Sequence, residues 1–224
     1  MQSLINWNTI LVGEYLEILD LESEELTPTE ILLERASILS GENYEDINED
    51  ELNEIIDTFK WLDNAPTFKK SEVKYNKLKF GAFIDNEFFT TEKIPIQNIT
   101  KIVSVILGFE DFESKCLEIE EMLFCEAYPI LEGYLNYRIK LLQNYEDLFE
   151  SNDDEEEIDE EEIIEIEGKT TISDEVFKRW NWERVLWELS NGDITKIDSI
   201  TEMTHLTVFN WLTMIKDLKL SRPT

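Results

Sequence analysis

The amino-acid sequence predicts a mainly α-helical protein with one small β-hairpin, an α+β fold in three parts. Apolar residues recur at helical spacing over most of the chain. Apolar residues alternate with lysines near 72–84, and an acidic run separates the two ends. We therefore expect a helical domain over 1–150, an acidic linker over 151–168 and a small Trp-rich helical module over 169–224. This division predicts that residues 1–150 fold alone.

The first helices carry local start and stop signals. Residues 9–21 are typical of a short amphipathic helix or an extended lead-in. Thr27 is placed to cap the next helix, with Pro28 at its first position and Glu30 completing a capping box. Gly41 follows the last apolar residue, so we expect this helix to end there.

A third helix is predicted after Asn48, with Glu51 three residues later as its capping partner. Ile47 before the cap and Leu52 after it have the spacing of a hydrophobic staple. Helical spacing continues until Pro66, which ends this part of the chain.

Residues 72–84 are the segment in which we expect the β-hairpin. Lysines fall between its apolar residues, and Asn76–Lys77 would form the turn. Lysines on the outer face would also discourage pairing of an exposed strand with another chain. The apolar residues are Val73, Tyr75, Leu78, Phe80 and Phe83.

Two helical regions are expected after the hairpin. The first covers about 96–108 and the second about 112–150. Pro129 lies inside the second region, and an interior proline removes a backbone hydrogen bond and clashes with the preceding turn. We therefore expect a break at Pro129.

The C-terminal module is predicted to contain two or three short helices. Ser173 would cap the first, and Asn191–Gly192 would end it. Asp193 is expected to cap a helix over about 194–202, and a last helix would cover 206–218.

Six residues near the C-terminal end are candidates for binding a partner. Four of the six tryptophans lie in the module, where large aromatic side chains fill a small core efficiently. Trp180 and Trp182 are about 200° apart on a helix, so not every tryptophan can face that core. An exposed tryptophan is typical of an interface. Two isoleucines in the acidic run suggest a motif that orders on a partner, although a solvated linker is the simpler interpretation. The candidates are Trp180, Trp182, Trp187, Trp211, Ile163 and Ile164.

The charge of the chain excludes some classes of partner. Its 224 residues contain 51 Asp and Glu against 20 Lys and Arg, a net charge of −31. Residues 1–66 carry −15 and residues 144–168 carry −14, whereas residues 169–224 are neutral. Contacts to phosphates need clustered lysine or arginine, so we expect neither nucleic-acid binding nor docking on an anionic membrane. The most apolar stretch, Ile94 to Phe109, is also too short to span a bilayer.

The sequence lacks the motifs of common chemistry, and we expect no enzymatic activity, no cofactor and no metal site. His205 is the single histidine, and its position suggests a capping or surface role. Cys116 and Cys125 are nine residues apart, which on a helix places them on opposite faces and prevents a disulfide. No glycine-rich phosphate loop and no CxxC pair occurs.

The order of these parts along the chain is similar to that in a known class of proteins. An acidic helical start (VGEYLEILDLESEELTPTEILLERASILSG) precedes a lysine-bearing segment (VKYNKLKFGAF), and the chain closes with WNWERVLWELSNGDITKIDSITEMTHLTVFNWL. This chain resembles the tail assembly chaperones, and related small assembly proteins, of tailed bacteriophages. The resemblance implies a cytoplasmic protein of an infected bacterium, without enzymatic activity, that binds the tape measure protein and keeps it soluble until the tail tube forms.

Two other functions stay open. A structural or adaptor protein of the virion would remain in purified particles, whereas a chaperone would be absent from them. An acidic DNA-mimic inhibitor would need carboxylates ordered at phosphate-like spacing on its surface.

Overall fold

The computed structural model describes residues 6–21, 25–44, 48–64, 66–92, 94–108, 111–149 and 181–220. These residues form eleven α-helices, a few short 3₁₀ turns and two isolated antiparallel β-bridges, and they contain no sheet. The helices are α1 (Val12–Asp20), α2 (Pro28–Ser40), α3 (Glu49–Phe59), α4 (Phe80–Glu92), α5 (Ile99–Leu107), α6 (Phe112–Glu120), α7 (Phe124–Asn144), α8 (Glu146–Phe149), α9 (Asn181–Ser190), α10 (Ile197–Thr201) and α11 (His205–Leu220).

The described residues group into two compact units. Unit 1 takes those within Met1–Tyr75 and Asp85–Tyr137, and unit 2 takes those within Asn76–Ile84 and Arg138–Thr224. The three boundaries fall inside the 3₁₀ turn Tyr75–Lys77, α4 and α7. Unit 2 therefore combines a short segment from the middle of the chain with the C-terminal helices. The predicted domains over 1–150 and 169–224 stay predictions.

Some predicted features lie outside the described residues. They include the acidic linker at 151–168, Ile47 of the proposed staple and the Ser173 cap. These features stay predictions.

Unit 1 contains an aromatic cluster around Trp7. The Trp7 ring meets Trp61 edge to face, with 5.1 Å between ring centroids, and its Nε1–H donates to the Asn64 carbonyl oxygen at 3.0 Å. Tyr15 and Phe124 lie 4.2 Å apart in the same cluster. Trp7 is half-buried, and the Asn64 carbonyl supplies the hydrogen-bond partner that a tryptophan N–H usually finds when it leaves solvent. Trp7 and Trp61 thus help to hold unit 1 together.

The predicted caps at both ends of α2 and at the start of α3 are confirmed. The Thr27 hydroxyl accepts from the Glu30 backbone N–H, while the Glu30 carboxylate accepts from the Thr27 N–H at 2.8 Å. Gly41 ends α2 with a left-handed backbone, φ +68°. Asn48 and Glu51 make the same reciprocal pair at the start of α3.

The predicted β-hairpin near 72–84 is wrong. Tyr75–Lys77 forms a 3₁₀ turn and α4 begins at Phe80, so this segment pairs no two strands. Phe80 and Phe83 are three residues apart, which is the spacing of one helix face, and both are fully buried. The alternation with lysine was too short to distinguish a strand from a turn followed by a helix.

The backbone before α4 pairs with a distant part of unit 2. The Phe80 N–H donates to the Met203 carbonyl oxygen at 2.7 Å, and the His205 N–H donates to the Leu78 carbonyl oxygen at 3.2 Å. Lys79 and Thr204 lie between these two hydrogen bonds and form one of the two isolated antiparallel β-bridges. The segment predicted as a hairpin therefore satisfies two of its backbone groups, the Leu78 carbonyl and the Phe80 N–H, with residues more than a hundred positions away in sequence.

The predicted break at Pro129 is also wrong. Pro129 lies in the second turn of α7, where it removes only the bond to the Cys125 carbonyl, and the helix continues. The chain breaks earlier, between α6 and α7, because the Phe124 N–H donates to the Ile10 carbonyl oxygen at 2.8 Å. A long-range backbone contact decides where this helix starts.

Within the described part of the chain, no helix combines the length and the apolar character needed to cross a membrane. Cys116 and Cys125 both carry free thiols.

Candidate functional site

Aromatic packing forms the core of unit 2. The Trp182 ring on α9 meets Phe80 and Phe83 edge to face, with centroids 5.7 and 5.6 Å away. It lies nearly parallel to Phe209 of α11 at 6.3 Å. The three phenylalanines are fully buried, and Trp182 is half-buried. Of the candidate tryptophans, Trp182 is thus placed where it joins α4, α9 and α11.

His205 belongs to this core, so the prediction of a surface role is wrong. Its side chain is fully buried and its ring stacks on Phe83 at 5.4 Å. The Nδ1–H donates to the Leu78 carbonyl oxygen at 2.8 Å, since a carbonyl can only accept. Burial lowers the pKa of His205 below its usual 6.5. The helix cap is instead Thr204, whose hydroxyl accepts from the Thr207 N–H.

Helix α11 has one buried face and one exposed apolar face. Val208 and Phe209 are fully buried in unit 2. On the other side, Trp211 is 41% exposed, Met214 47% and Leu218 55%. Residues at i, i+3 and i+7 fall within about 60° of each other on a helix. We name these three side chains the α11 stripe.

Side-chain contacts hold α11 in place within unit 2. The Tyr145 hydroxyl donates to Asn210 Oδ1 at 2.7 Å, and the Tyr145 ring lies 5.2 Å from Phe209. Lys216 Nζ donates to the Asp147 carbonyl oxygen. These contacts come from α8 and from the residue between α7 and α8, so a partner would meet an α11 stripe that is already positioned.

Trp187 is exposed at a second place in unit 2. Its side chain is 61% exposed, and one edge of the ring lies over Gly192. A Cβ at Gly192, where φ is +75°, would approach Trp187 Cζ2 to 3.0 Å. Asn191 and Gly192 both have positive φ, which confirms the predicted end of α9. The ring thus covers the turn and leaves much of its surface to solvent.

The structure places three of the six candidate partner-binding residues. Trp187 and Trp211 present large exposed surfaces, whereas Trp182 packs inside unit 2. The others, which lie outside the described residues and stay predictions, are Trp180, Ile163 and Ile164.

Met214 and Leu218 were missed as candidates. Their signal was present in the sequence, because they follow Trp211 at i+3 and i+7. Each also has apolar neighbours on the same helix at the spacing of a buried face. The sequence alone therefore did not distinguish the exposed apolar face from the buried one. Burial, which only the structure supplies, separates the two faces.

Comparison with known proteins finds no family model, no curated protein and no solved structure that matches the chain. Among the described residues, no group of three or more His, Cys, Asp or Glu side chains could hold a metal ion. The α11 stripe consists of indole, thioether and isobutyl groups, which bind by apolar contact. The chemistry that this surface offers is association with another apolar surface.

Proposed function

We propose that the protein is a non-enzymatic assembly chaperone that binds an apolar helical partner through the α11 stripe. The observation that carries this proposal is the exposure of Trp211, Met214 and Leu218 on one face of a helix whose other face is buried. An amphipathic helix of a partner would lay its own apolar residues along that face.

The composition of the α11 stripe and the charge of the chain both support this role. Tryptophan is enriched among residues that dominate binding energy, and methionine adapts its shape to different partners. The net charge of −31 would keep a complex with an apolar partner in solution by mutual repulsion. An apolar contact surface on a highly charged chain is what a solubilising protein needs.

The resemblance to tail assembly chaperones names the partner class. In this proposal the partner is a tape measure protein, whose long helices expose apolar stripes before assembly, and the site of action is the cytoplasm of an infected bacterium. The chaperone would leave before the particle is complete.

The test is co-expression with a helical tape measure segment that is insoluble alone. We expect the full chain to bring this segment into the soluble fraction and to co-purify with it. The triple substitution Trp211→Ala, Met214→Ala and Leu218→Ala should remove most of both effects, because it deletes the apolar contact area. A matched control replaces Ile56 and Phe88, which are exposed apolar residues of unit 1, with alanine.

Three results would contradict the proposal. Equal solubility with the triple variant and the control would show that the α11 stripe is not the binding surface. Recovery of the protein from purified particles would favour the virion adaptor instead. Concentration-dependent dimerisation that the triple variant abolishes would show that the α11 stripe joins two copies of this chain.

A further inference from the structure

A shallow apolar groove lies between α5 and α6 in unit 1, separate from the α11 stripe. It has a volume of about 390 Å³ and is open to solvent along one side. Phe112, Cys116 and Leu117 form its apolar lining, which we call the floor, and the charged residues Lys101, Glu113 and Glu120 also line it. Enclosed pockets of this size, roughly 300–1,000 Å³, engulf small ligands. An open groove instead suits side chains that project from another protein.

The floor of the groove is preformed. Phe112 stacks on Phe89 with parallel rings 5.8 Å apart, and the Ser104 hydroxyl contacts Cys116 Sγ at 3.7 Å. Leu117 is 61% exposed although Ile119, two residues on, is fully buried. A large apolar side chain therefore faces outward from a helix that is held by contacts of Phe112, Cys116 and Ile119, and binding there would order little that is not already ordered.

The charges around the groove are negative. Glu113 and Glu120 lie along α6 on either side of Leu117, and no basic residue of that helix lines the groove. Lys101 is the base on the facing helix, but its Nζ lies 3.7 Å from Glu92 Oε2 and 5.2 Å from the Phe89 ring centroid. Lys101 is already balanced by Glu92, and within the described part of the chain no base forms an ion pair with Glu113 or Glu120. A partner therefore meets these two carboxylates.

We propose that this groove, the α5–α6 groove, binds an amphipathic helix of another protein in which an apolar anchor is flanked by lysine or arginine. The anchor would rest on Leu117 and Phe112, and the basic side chains would reach Glu113 and Glu120. A second copy of this chain is a poor occupant, since each copy carries −31. The proposal goes beyond the chaperone function and does not depend on the α11 stripe.

The first experiment measures binding of a defined probe to the full chain by fluorescence anisotropy. The probe is a labelled helical peptide of about 18 residues, long enough to be helical alone, with leucine on one face and lysine on the other. A matched peptide carries glutamate in place of lysine. We expect the lysine peptide to bind at least roughly tenfold more tightly than the glutamate peptide.

Paired variants locate the site. Leu117→Ala should weaken binding of the lysine peptide by roughly tenfold, and Leu107→Ala, an exposed leucine outside the groove, should not. The double variant Glu113→Gln with Glu120→Gln should weaken binding and reduce its dependence on salt. The control for this double variant is Glu118→Gln, which removes a charge from the same helix but outside the groove.

A chemical readout places the peptide in the groove itself. In a Cys125→Ser background, Cys116 is the single thiol, and its rate of reaction with a maleimide reports access to the floor. We expect saturating lysine peptide to slow this reaction at least roughly fivefold, because a bound helix covers the thiol and excludes the reagent.

Each opposite result overturns the inference. Unchanged labelling of Cys116 at saturation would place the peptide elsewhere. Equal effects of Glu118→Gln and of the groove variants would show general attraction to an acidic chain. A dimer of the protein alone that Leu117→Ala dissociates, seen by sedimentation, would identify a second copy as the occupant.

Discussion

At the scale of single residues, His205 shows how the environment sets the role of a side chain. The sequence contains one histidine at a helix start, and that position is compatible with a cap, a surface group or a core group. The structure buries it between Phe83 and Phe209 with its Nδ1–H bonded to Leu78. Phe83 and Leu78 lie more than 120 residues away in sequence, so no local pattern could identify them as its neighbours.

Burial of His205 should make the stability of the protein depend on pH. The pKa of His205 is lowered in the folded state, so below about pH 6.5 the unfolded chain takes up a proton that the folded chain resists. The free energy of unfolding should therefore fall as pH decreases from 6.5, and this contribution is fully present above that pH. His205→Phe keeps an aromatic ring but removes the titration.

Urea unfolding between pH 5 and 8, in about half-unit steps, measures this difference. The carboxylates are common to both proteins, so subtracting the His205→Phe values isolates the histidine. The free energy of unfolding of the unsubstituted protein, minus that of His205→Phe, should decrease as the pH falls. A difference that does not change with pH would show that His205 is protonated equally in both states.

At the scale of elements, predictions succeeded where the cause was local. The start of α2 is set by Thr27 and Glu30, and its end by Gly41, all within the helix or next to it. Predictions failed where the cause was distant. The starts of α4 and α7 both make backbone hydrogen bonds to residues that are distant in sequence, from Phe80 to Met203 and from Phe124 to Ile10.

A glycine in the middle of α7 should be indispensable. A Cβ at Gly133 would overlap the Tyr75 hydroxyl and come within 3.1 Å of its Cζ, and this hydroxyl donates to the Ile130 carbonyl oxygen at 3.0 Å. Alanine favours helices by about 1 kcal/mol over glycine. Even so, Gly133→Ala should destabilise the protein by roughly 1–3 kcal/mol because of overpacking.

Urea unfolding of matched variants tests this prediction. Gly13→Ala in α1 is the control, since its Cβ would meet only Glu120 at an ordinary 3.4 Å and should be tolerated. Adding Tyr75→Phe should rescue part of the loss at Gly133 by removing the overlapping oxygen. Stabilisation by Gly133→Ala would show that α7 and Tyr75 separate easily.

At the scale of the whole molecule, helical content was easier to predict than which segments pack together. Periodicity and caps identify most of the helices that the structure describes. Exposed tryptophan was also expected, and Trp187 and Trp211 fit that expectation. The composition of unit 2 was not predictable, because its core depends on Phe80 and Phe83 meeting Trp182 across the sequence.

The composition of unit 2 predicts the behaviour of a truncated chain. A fragment ending at residue 150 lacks α9–α11, which bury Phe80 and Phe83. Contrary to the sequence-based prediction that residues 1–150 fold alone, we expect this fragment to bind the dye ANS strongly and to aggregate, as proteins with exposed apolar cores do. Removing only residues 221–224, which follow α11, is the control and should change nothing. A monomeric 1–150 fragment with cooperative unfolding and no dye binding would instead support an independent domain over these residues.

The Lys79–Thr204 bridge and the rings beside it join α4 to helices that the ribosome makes much later. Phe80 leaves the ribosome 129 residues before Phe209, its ring neighbour in unit 2. At about 5–20 residues per second, this interval is roughly 6 to 26 seconds. During that time the α4 phenylalanines have no native cover from the C-terminal helices. Unit 2 therefore completes its core only after α11 has been synthesised, and the α11 stripe becomes available only at that stage.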